Sequence, residues 1–367
     1  MKTALIIGAG FSGCVPAMLL KEKGWSVTVI EKADFVGGGV RTFFYGGHPF
    51  TYGPRHFLSP YPEAYNFLNK YVPLRDLKKI NYTYIESDQM FFTYPPHRDD
   101  IGEMAEAEQI RKELDTLPEE SHAIDFETFW TQRVGETLYS KFIKHYNERA
   151  WLLDSNTEMD FGFEATVKRK PLETGERYEF KDWYNCYPVP YDGYNRFFDV
   201  ALDGCEVLLS TNVTGFDLER TTLHINDQKI KGDIIISTIS PDILMDCQYG
   251  ELKYVGRDFL KFVLPIEHVF PKDVYFIYYP NENDTQTRVV EYKKFTLHES
   301  SHTLLSVEVP SLKNKLYPTM IQGEVDKAKQ YVDALPADVH SVGRMGTYRY
   351  IDIDDIIMQS IEFVGTL

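Results

Sequence analysis

Residues 3–31 read TALIIGAGFSGCVPAMLLKEKGWSVTVIE, and this stretch decides the fold. A short apolar run, Thr3–Ile7, leads into the turn Gly8-Ala9-Gly10-Phe11-Ser12-Gly13. Helical spacing follows, then a second β-rich run, Ser26–Ile30, closed by Glu31. Strand, glycine turn, helix, strand and terminal acid in this order form the dinucleotide fingerprint in its required context. Gly8 permits the tight turn, Gly10 lets backbone approach a pyrophosphate, and Gly13 lets helix and strand pack closely. The helix N-terminus then offers N–H groups and a positive dipole end to phosphate. Glu31, 18 residues past Gly13, is placed to accept from a ribose hydroxyl. Met1-Lys2 before an apolar run also raises the question of a secretory signal. Three glycines inside the run, and its continuation into a second apolar strand with no cleavage pattern, argue against that.

The rest of the composition narrows the class. A chain of 367 residues accommodates two or three domains. The 39 Lys+Arg against 55 Asp+Glu give a formal charge of −16, which disfavours nucleic acid and anionic membranes as partners. An anionic ligand must therefore be met by local arginines. No apolar run approaches the length of a bilayer span, so no membrane contact is expected. Cys14, Cys186, Cys205 and Cys247 lack metal-binding or disulfide-framework spacing, which fits a reducing cytoplasm and no metal. With 25 tyrosines and 14% aromatics, the chain is rich in side chains that suit sugar and nucleobase pockets as well as ordinary packing.

Outward from the fingerprint, residues 42–50 read as a glycine-rich hairpin. From 62 to about 154 the spacing reads as mostly helical, with Phe126, Trp130, Val134, Leu138 and Phe142 recurring every four residues. A polar, proline-bearing stretch, 164–193, leads into a short helix near 195–202. Strands of a meander near 206–225 then return to a parallel strand at 234–238. Alternating runs between 252 and 310 predict an antiparallel sheet, and 353–363 a last helix. The expected architecture is α/β: a discontinuous Rossmann-like domain (1–61, 195–245 and 335–367), an inserted helical lid domain (62–155), and an antiparallel sheet domain (156–194 and 246–334) with a mobile loop near 165–185.

The cofactor reads as flavin rather than nicotinamide. Glu31-Lys32 runs on into Gly37-Gly38-Gly39-Val40-Arg41, a glycine cluster that lets backbone approach a cofactor extending beyond the pyrophosphate, with Arg41 lying over it. The late Gly343-Arg344 stretch and the discontinuous domain fit the same reading. Gly8, Gly10, Phe11, Ser12, Gly13, Glu31, Lys32, Gly38, Gly39, Arg41, Val213 and Arg344 are the candidate FAD-binding positions.

The segments IEKADFVGG (30–38), YGPRHF (52–57), YNERAW (146–151), KRKP (168–171), PYDGY (190–194), TRVVE (287–291), VEVP (307–310), LYP (316–318) and GRMGTYRYID (343–352) are individually weak. In this order and spacing the chain resembles the UDP-galactopyranose mutase family, flavoenzymes that interconvert pyranose and furanose forms of nucleotide sugars. The resemblance implies that the N5 of reduced FAD attacks the anomeric carbon, expelling the nucleotide diphosphate, which returns after the ring recloses. No net oxidation occurs. It assigns Arg288, Tyr317 and Tyr350 to the diphosphate, Tyr146 to the nucleobase, and Trp151 and Tyr184 to the substrate pocket. Glu308 falls near the sugar, Asp352 beside the phosphate tyrosines, and Arg344 near the flavin. A nucleotide-sugar substrate, a homodimer, and a cytoplasmic role in polysaccharide biosynthesis follow from the same likeness.

Two departures bear on the substrate. Where the family pattern is G-x-H-x-F-H-T, this chain has Gly53-Pro-Arg55-His56-Phe57-Leu58-Ser59, so Arg55 and Leu58 replace two histidines and point to a modified sugar. A second diphosphate arginine falls on Glu173, leaving Arg169 or Arg177 to substitute for it. The base, the sugar and the cellular reductant stay open. The alternative is an FAD-dependent oxidoreductase of the amine-oxidase type, which shares the fingerprint and glycine cluster but needs no cluster of Tyr146, Arg288, Tyr317 and Tyr350. A non-catalytic nucleotide-binding module is disfavoured, since phosphate-binding residues recur in three separate segments.

Overall fold

The structure, a computed structural model, describes residues 1–120, 122–160 and 168–367. Its centre is a parallel sheet in the order Glu206–Leu208, Ser26–Ile30, Thr3–Ile7, Ile234–Ser237, Val339–Ser341. Thr3–Ile7 lies in the middle, and Leu5, Ile6 and Ile7 are almost wholly buried, as a strand covered on both faces requires. On one face the helix Phe11–Glu22 packs against Asn195–Leu202 and Ile353–Thr366. On the other, Leu5, Ile7, Ile30 and Ile235 meet Leu223 and Ile225 of a three-stranded meander, Val213–Asp217, Thr222–Ile225 and Gln228–Lys231. Glu206–Leu208 belongs to the parallel sheet, as its edge, rather than to the meander. Its apolar run is too short to distinguish the two sheets by periodicity.

A second sheet has seven strands in the order Tyr317–Pro318, Tyr254–Leu264, Thr303–Ser311, Arg288–Glu291, Val274–Tyr278, Ile80–Ile85, Met90–Thr93. All its pairings are antiparallel except that of Val274–Tyr278 with Ile80–Ile85. Residues 80–93 therefore correct the helical reading of 62–154. In Ile80–Ile85 the inward positions include Asn81 and Thr83, both buried, so the strand's alternation runs opposite to a hydrophobic pattern and escapes notice. The helix Pro62–Tyr71 likewise packs its Ala64 and Leu68 into the Rossmann-side core rather than the helical layer.

The helical layer covers one face of the second sheet. Asp125 caps Phe126–Val134, accepting from the Thr128 N–H at 2.7 Å. Phe126, Trp130, Val134, Leu138 and Phe142 are all buried in one core. The repeat is broken at Gly135, where φ is +83° and a side chain would run into Glu113. Beyond Glu136–Tyr139 the chain makes a π-turn at Ser140–Lys144 before His145–Trp151. Arg149 ties that last helix to the sheet side, donating to the carbonyls of Gln286 at 3.1 Å, Asn281 at 3.0 Å and Tyr279. This fixes Tyr146 and Trp151 above the sheet. No helix among the described residues is long and apolar enough to cross a membrane, and the four cysteines are free thiols.

Candidate active site

The fingerprint folds into a cradle for a dinucleotide. A Cβ on Gly8 would stand 2.2 Å from Thr238 Oγ1, and one on Gly13 2.0 Å from the Gly8 carbonyl, so the turn closes only on bare backbone. Gly10 is different: a Cβ there meets nothing within 4 Å, because it faces the open cleft. The helix that follows has no side-chain cap and no acidic residue in its first turn, which leaves its positive end to an anion. Glu31 accepts from the N–H of Ala9 through Oε2 and of Ala33 through Oε1, each at 2.8 Å. Its remaining lone pairs face outward for a hydroxyl. The second glycine cluster docks on the first, with Gly37 N–H donating to Ala9 O at 2.7 Å and a bridge between Gly10 and Gly37. Gly343, at φ +76°, presses on Ser12.

From this cradle a cleft of about 370 Å³ runs past Gly39, Arg55, His56 and Leu58 to Arg288, Tyr317, Arg344 and Tyr350. A second cavity of about 140 Å³, bordered by Tyr146, Trp151, Arg257 and Glu308, shares Arg169, Tyr278, Arg288, Tyr317 and Tyr350 with it. One continuous path therefore joins the cofactor cradle to an arginine–tyrosine cluster. Tyr317 and Tyr350 stack 5.6 Å apart at 13°, with Trp151 edge-on to both. Arg344 lies over both rings, at 5.0 and 4.7 Å, and donates to Ile351 O at 2.9 Å and to Asp352 Oδ1 at 3.0 Å. Asp352 also caps the last helix. Arg288 and Glu308 face each other across paired strands and form a two-point ion pair, 3.0 and 2.6 Å to Oε2. The other oxygen of Glu308 is buried without a partner among the described residues.

Electrostatics follow from this crowding. Burial pushes the Tyr317 hydroxyl up, but Arg55, Arg344, Arg257 and Arg288 outweigh it and hold its pKa below the usual tyrosine value. Tyr350, buried and facing Tyr317, is pushed up to about 12. Burial opposes the charge on Arg288, and Glu308 more than restores it. His56 is held well below its ordinary value by burial and by Lys79, Arg288, Arg169 and Arg55, so it is neutral at physiological pH.

Of the positions expected from the sequence, Gly10, Phe11, Ser12, Gly39, Arg55, Arg169, Arg288, Tyr317, Arg344, Tyr350 and Asp352 line the larger cleft. Tyr146, Trp151 and Glu308 line the smaller cavity. Others do not border this path. Tyr184 stacks on Tyr65 at 4.3 Å, away from both cavities. Arg177 pairs with Asp100 and donates to Thr93 Oγ1 at 2.5 Å, so Arg169 is the arginine brought to the cleft. Arg41 bonds the Val36 carbonyl at 3.2 Å and lies over Phe35, bracing the glycine loop from outside. Lys32 is exposed, and Val213 begins the meander beside the 209–211 segment that bonds residues 31 and 33. Residues 165–167, the start of the expected mobile loop, lie outside the described residues.

The structure also adds residues. Arg257, 8% exposed, lies 5.1 Å over Tyr317. Its signal in the sequence is an arginine inside the buried strand run Tyr254-Val-Gly-Arg257. Lys79, 1% exposed, bonds Asn81 at 3.2 Å and pairs with Glu179 at 3.3 Å. Glu179 in turn pairs with Arg169. No spacing in the sequence connects residue 79 with 179.

A family model described as UDP-galactopyranose mutase matches residues 141–350, and one described as an NAD(P)-binding Rossmann-like domain matches 6–71. The chain is 25% identical to a probable UDP-galactopyranose mutase of Klebsiella pneumoniae, covering 98% of this chain and 93% of that one. It is 26% identical to a dTDP-fucopyranose mutase of Escherichia coli, covering 99% and 97%. The crystal structure of a reduced UDP-galactopyranose mutase superposes with a TM-score of 0.84 over 99% of this chain and 95% of its own, at 18% identity, a likeness of fold. The family match over more than half the chain disfavours the amine-oxidase alternative. The glycine cradle that the sequence predicts and the structure forms is one that flavoenzymes of both kinds share; the family match separates them, and the chain, a flavin-dependent isomerase, belongs to the UDP-galactopyranose mutase family.

Proposed function

We propose that this enzyme interconverts the pyranose and furanose forms of a nucleotide-diphosphate sugar, with FAD as its cofactor in the reduced state. The observation that carries the reading is the continuous cleft joining the glycine cradle to the arginine–tyrosine cluster. Bound reduced FAD supplies the nucleophilic N5 for the anomeric carbon. The protein's own contribution is positioning and charge. Gly10 and the capless helix end receive the cofactor's pyrophosphate, and Glu31 a ribose hydroxyl. Arg288, Arg257 and Arg169, with Tyr317 and Tyr350, hold the substrate diphosphate both before it leaves and while it waits to return. Tyr317, acidified by its arginines, is the stronger hydrogen-bond donor of the two phenols. Tyr146 and Trp151 border the nucleotide end. The unpartnered oxygen of Glu308 accepts from a sugar hydroxyl, since a buried carboxylate oxygen left alone is costly.

The relatives act, by their names, on UDP-galactopyranose and on dTDP-fucopyranose, so family membership leaves base and sugar open. Arg55 and Leu58 line the cleft where a sugar would meet the flavin, and we assign the choice of sugar to that wall. The test is to purify the protein, verify bound FAD, reduce it with dithionite and present a panel of nucleotide furanoses. Ring exchange without consumption of reductant supports the reading. Stoichiometric oxidation of a substrate with oxygen uptake overturns it.

A further inference from the structure

Among the described residues, Arg55, Lys79, Arg169, Arg257, Arg288 and Arg344 converge on the cleft. Three carboxylates answer them: Glu179, shared by Lys79 and Arg169, Glu308 on Arg288, and Asp352 on Arg344. Lys168 and Lys315 at the rim are matched by Asp355 and Asp242. The described residues of the cleft thus carry an excess of three positive charges in a protein whose net charge is −16. Unmatched cations held out of bulk water, wholly for Arg257 and partly for Arg55, are costly, so they imply anions that arrive with ligands. A substrate diphosphate brings one negative charge on each phosphate and accounts for all but one of the three. The cofactor's own pyrophosphate is met separately, at the helix end.

The positions of the two arginines without a carboxylate decide which serves what. Arg257 lies over Tyr317 and borders the nucleotide cavity, with the diphosphate cluster. Arg55 does not border that cavity, although from the larger cleft its charge also acts on Tyr317. Its Nε donates to the Gly39 carbonyl at 3.1 Å, and Nη2 stands 3.8 Å from where a Gly39 side chain would begin. Gly39 follows the loop that bridges to Gly10, so Arg55 is fastened to the cofactor wall. Reduction of FAD to its anionic form takes two electrons and one proton and leaves one negative charge on the ring system.

We infer that Arg55 is the counter-charge for the reduced flavin ring, a positioning residue that raises the cofactor's reduction potential and keeps it in the form the mutase needs. The inference rests on the flavin reading above and deepens it. A fixed cation beside a charge that appears only on reduction favours the reduced state selectively. Such a device suits an enzyme that uses a reduced cofactor without re-reducing it at each turnover.

The experiment is a redox titration of the FAD-loaded enzyme against a reference dye, with dithionite as the electron source, for wild type, Arg55→Met and Arg55→Lys. Arg55→Met is expected to lower the equilibrium constant for two-electron reduction at least tenfold, a fall of about 30 mV or more. Arg55→Lys, which keeps the charge, should recover most of it. The pH dependence of the potential should show uptake of one proton per two electrons in wild type, moving towards two in Arg55→Met near neutral pH. Equal potentials in all three proteins overturn the inference. So does a change in sugar ranking with no change in potential, which would leave Arg55 with its place on the sugar wall alone. A wild-type protein that neither purifies with a flavin nor takes up FAD overturns the cofactor reading itself.

Discussion

Arg288 shows how one side chain is prepared for a ligand. Its ion pair with Glu308 uses Oε2 and leaves guanidinium N–H groups facing the cleft, with burial removing competing water. A charge-assisted contact to a buried phosphate contributes about 1.5–3 kcal/mol. Arg288→Ala should therefore lower kcat/KM for the nucleotide sugar about ten- to 150-fold, with Glu308 left as an unpaired buried charge. Unchanged steady-state kinetics would remove Arg288 from the site. Gly10 is a cleaner case. Its φ of −73° and ψ of −179° suit any residue, and the space beyond its Cβ position is empty of protein. Gly10→Val should fold with a melting temperature near wild type yet lose its FAD absorbance, because the new methyls occupy the pyrophosphate's place. Retention of full FAD by that variant contradicts the cradle.

Two elements carry the next predictions. The segment from Lys168 to Trp183 is held to the body by Glu179 on Lys79 and Asn81, and by Arg177 on Asp100 and Thr93. Glu179 also holds Arg169, which lies 5.0 Å over Tyr94 and donates to Tyr278 OH at 3.4 Å. Arg169→Ala should thus cost about tenfold or more in kcat/KM, while Arg177→Ala, whose partner is Asp100, should change it by less than about threefold. The reverse order would mean that the segment rearranges when substrate binds. The helix Ile353–Thr366 carries the other. Asp354 is 1% exposed, and its carboxyl sits among Ser59, Lys168, Asp352 and Asp355. Burial and Asp355 raise its pKa to about 7, against the pull of Lys168. A carboxyl whose folded pKa lies above its unfolded value of 3.8 costs nothing while protonated in both states, and its penalty grows as pH rises from about 4 through about 7, then levels off. Asp354→Asn should therefore melt close to wild type at pH 4 and progressively higher than wild type up to pH 8, with a ceiling of about 4 kcal/mol from about 1.4 kcal/mol per pKa unit. A gap that stays constant with pH would show that Asp354 is not the titrating group.

At the scale of the whole molecule, the site lies where two sheets built on different principles meet. The parallel sheet presents the carboxyl ends of its strands and a helix N-terminus, where α/β sheets bind ligands. The larger sheet presents Glu308 and Arg257 from within its strands and Arg288 from the start of one. Neither half alone joins flavin to diphosphate. Turnover should accordingly require reduced flavin but consume no reductant: a pulse of dithionite followed by anaerobic incubation should support many ring exchanges per FAD. One exchange per reductant added would instead indicate net redox chemistry.

Much of this was legible in the residues, because some constraints are local. The fingerprint and the second glycine cluster depend on neighbours within a few positions, and the structure forms both of them. The strands at 80–93 were not legible, since Asn81 and Thr83 turn polar groups inward, and Asn81 does so to meet Glu179, a partner almost a hundred residues away in the chain. Nor was the choice of Arg169 over Arg177. Both lie on one short segment of similar polarity, and only the docking of that segment sends one to the cleft and the other to Asp100. Sequence alone determined the cofactor cradle, because backbone geometry at glycine is set residue by residue. Tertiary structure decided which charges are left unmatched in the cleft, because burial and pairing are properties of the whole packed chain.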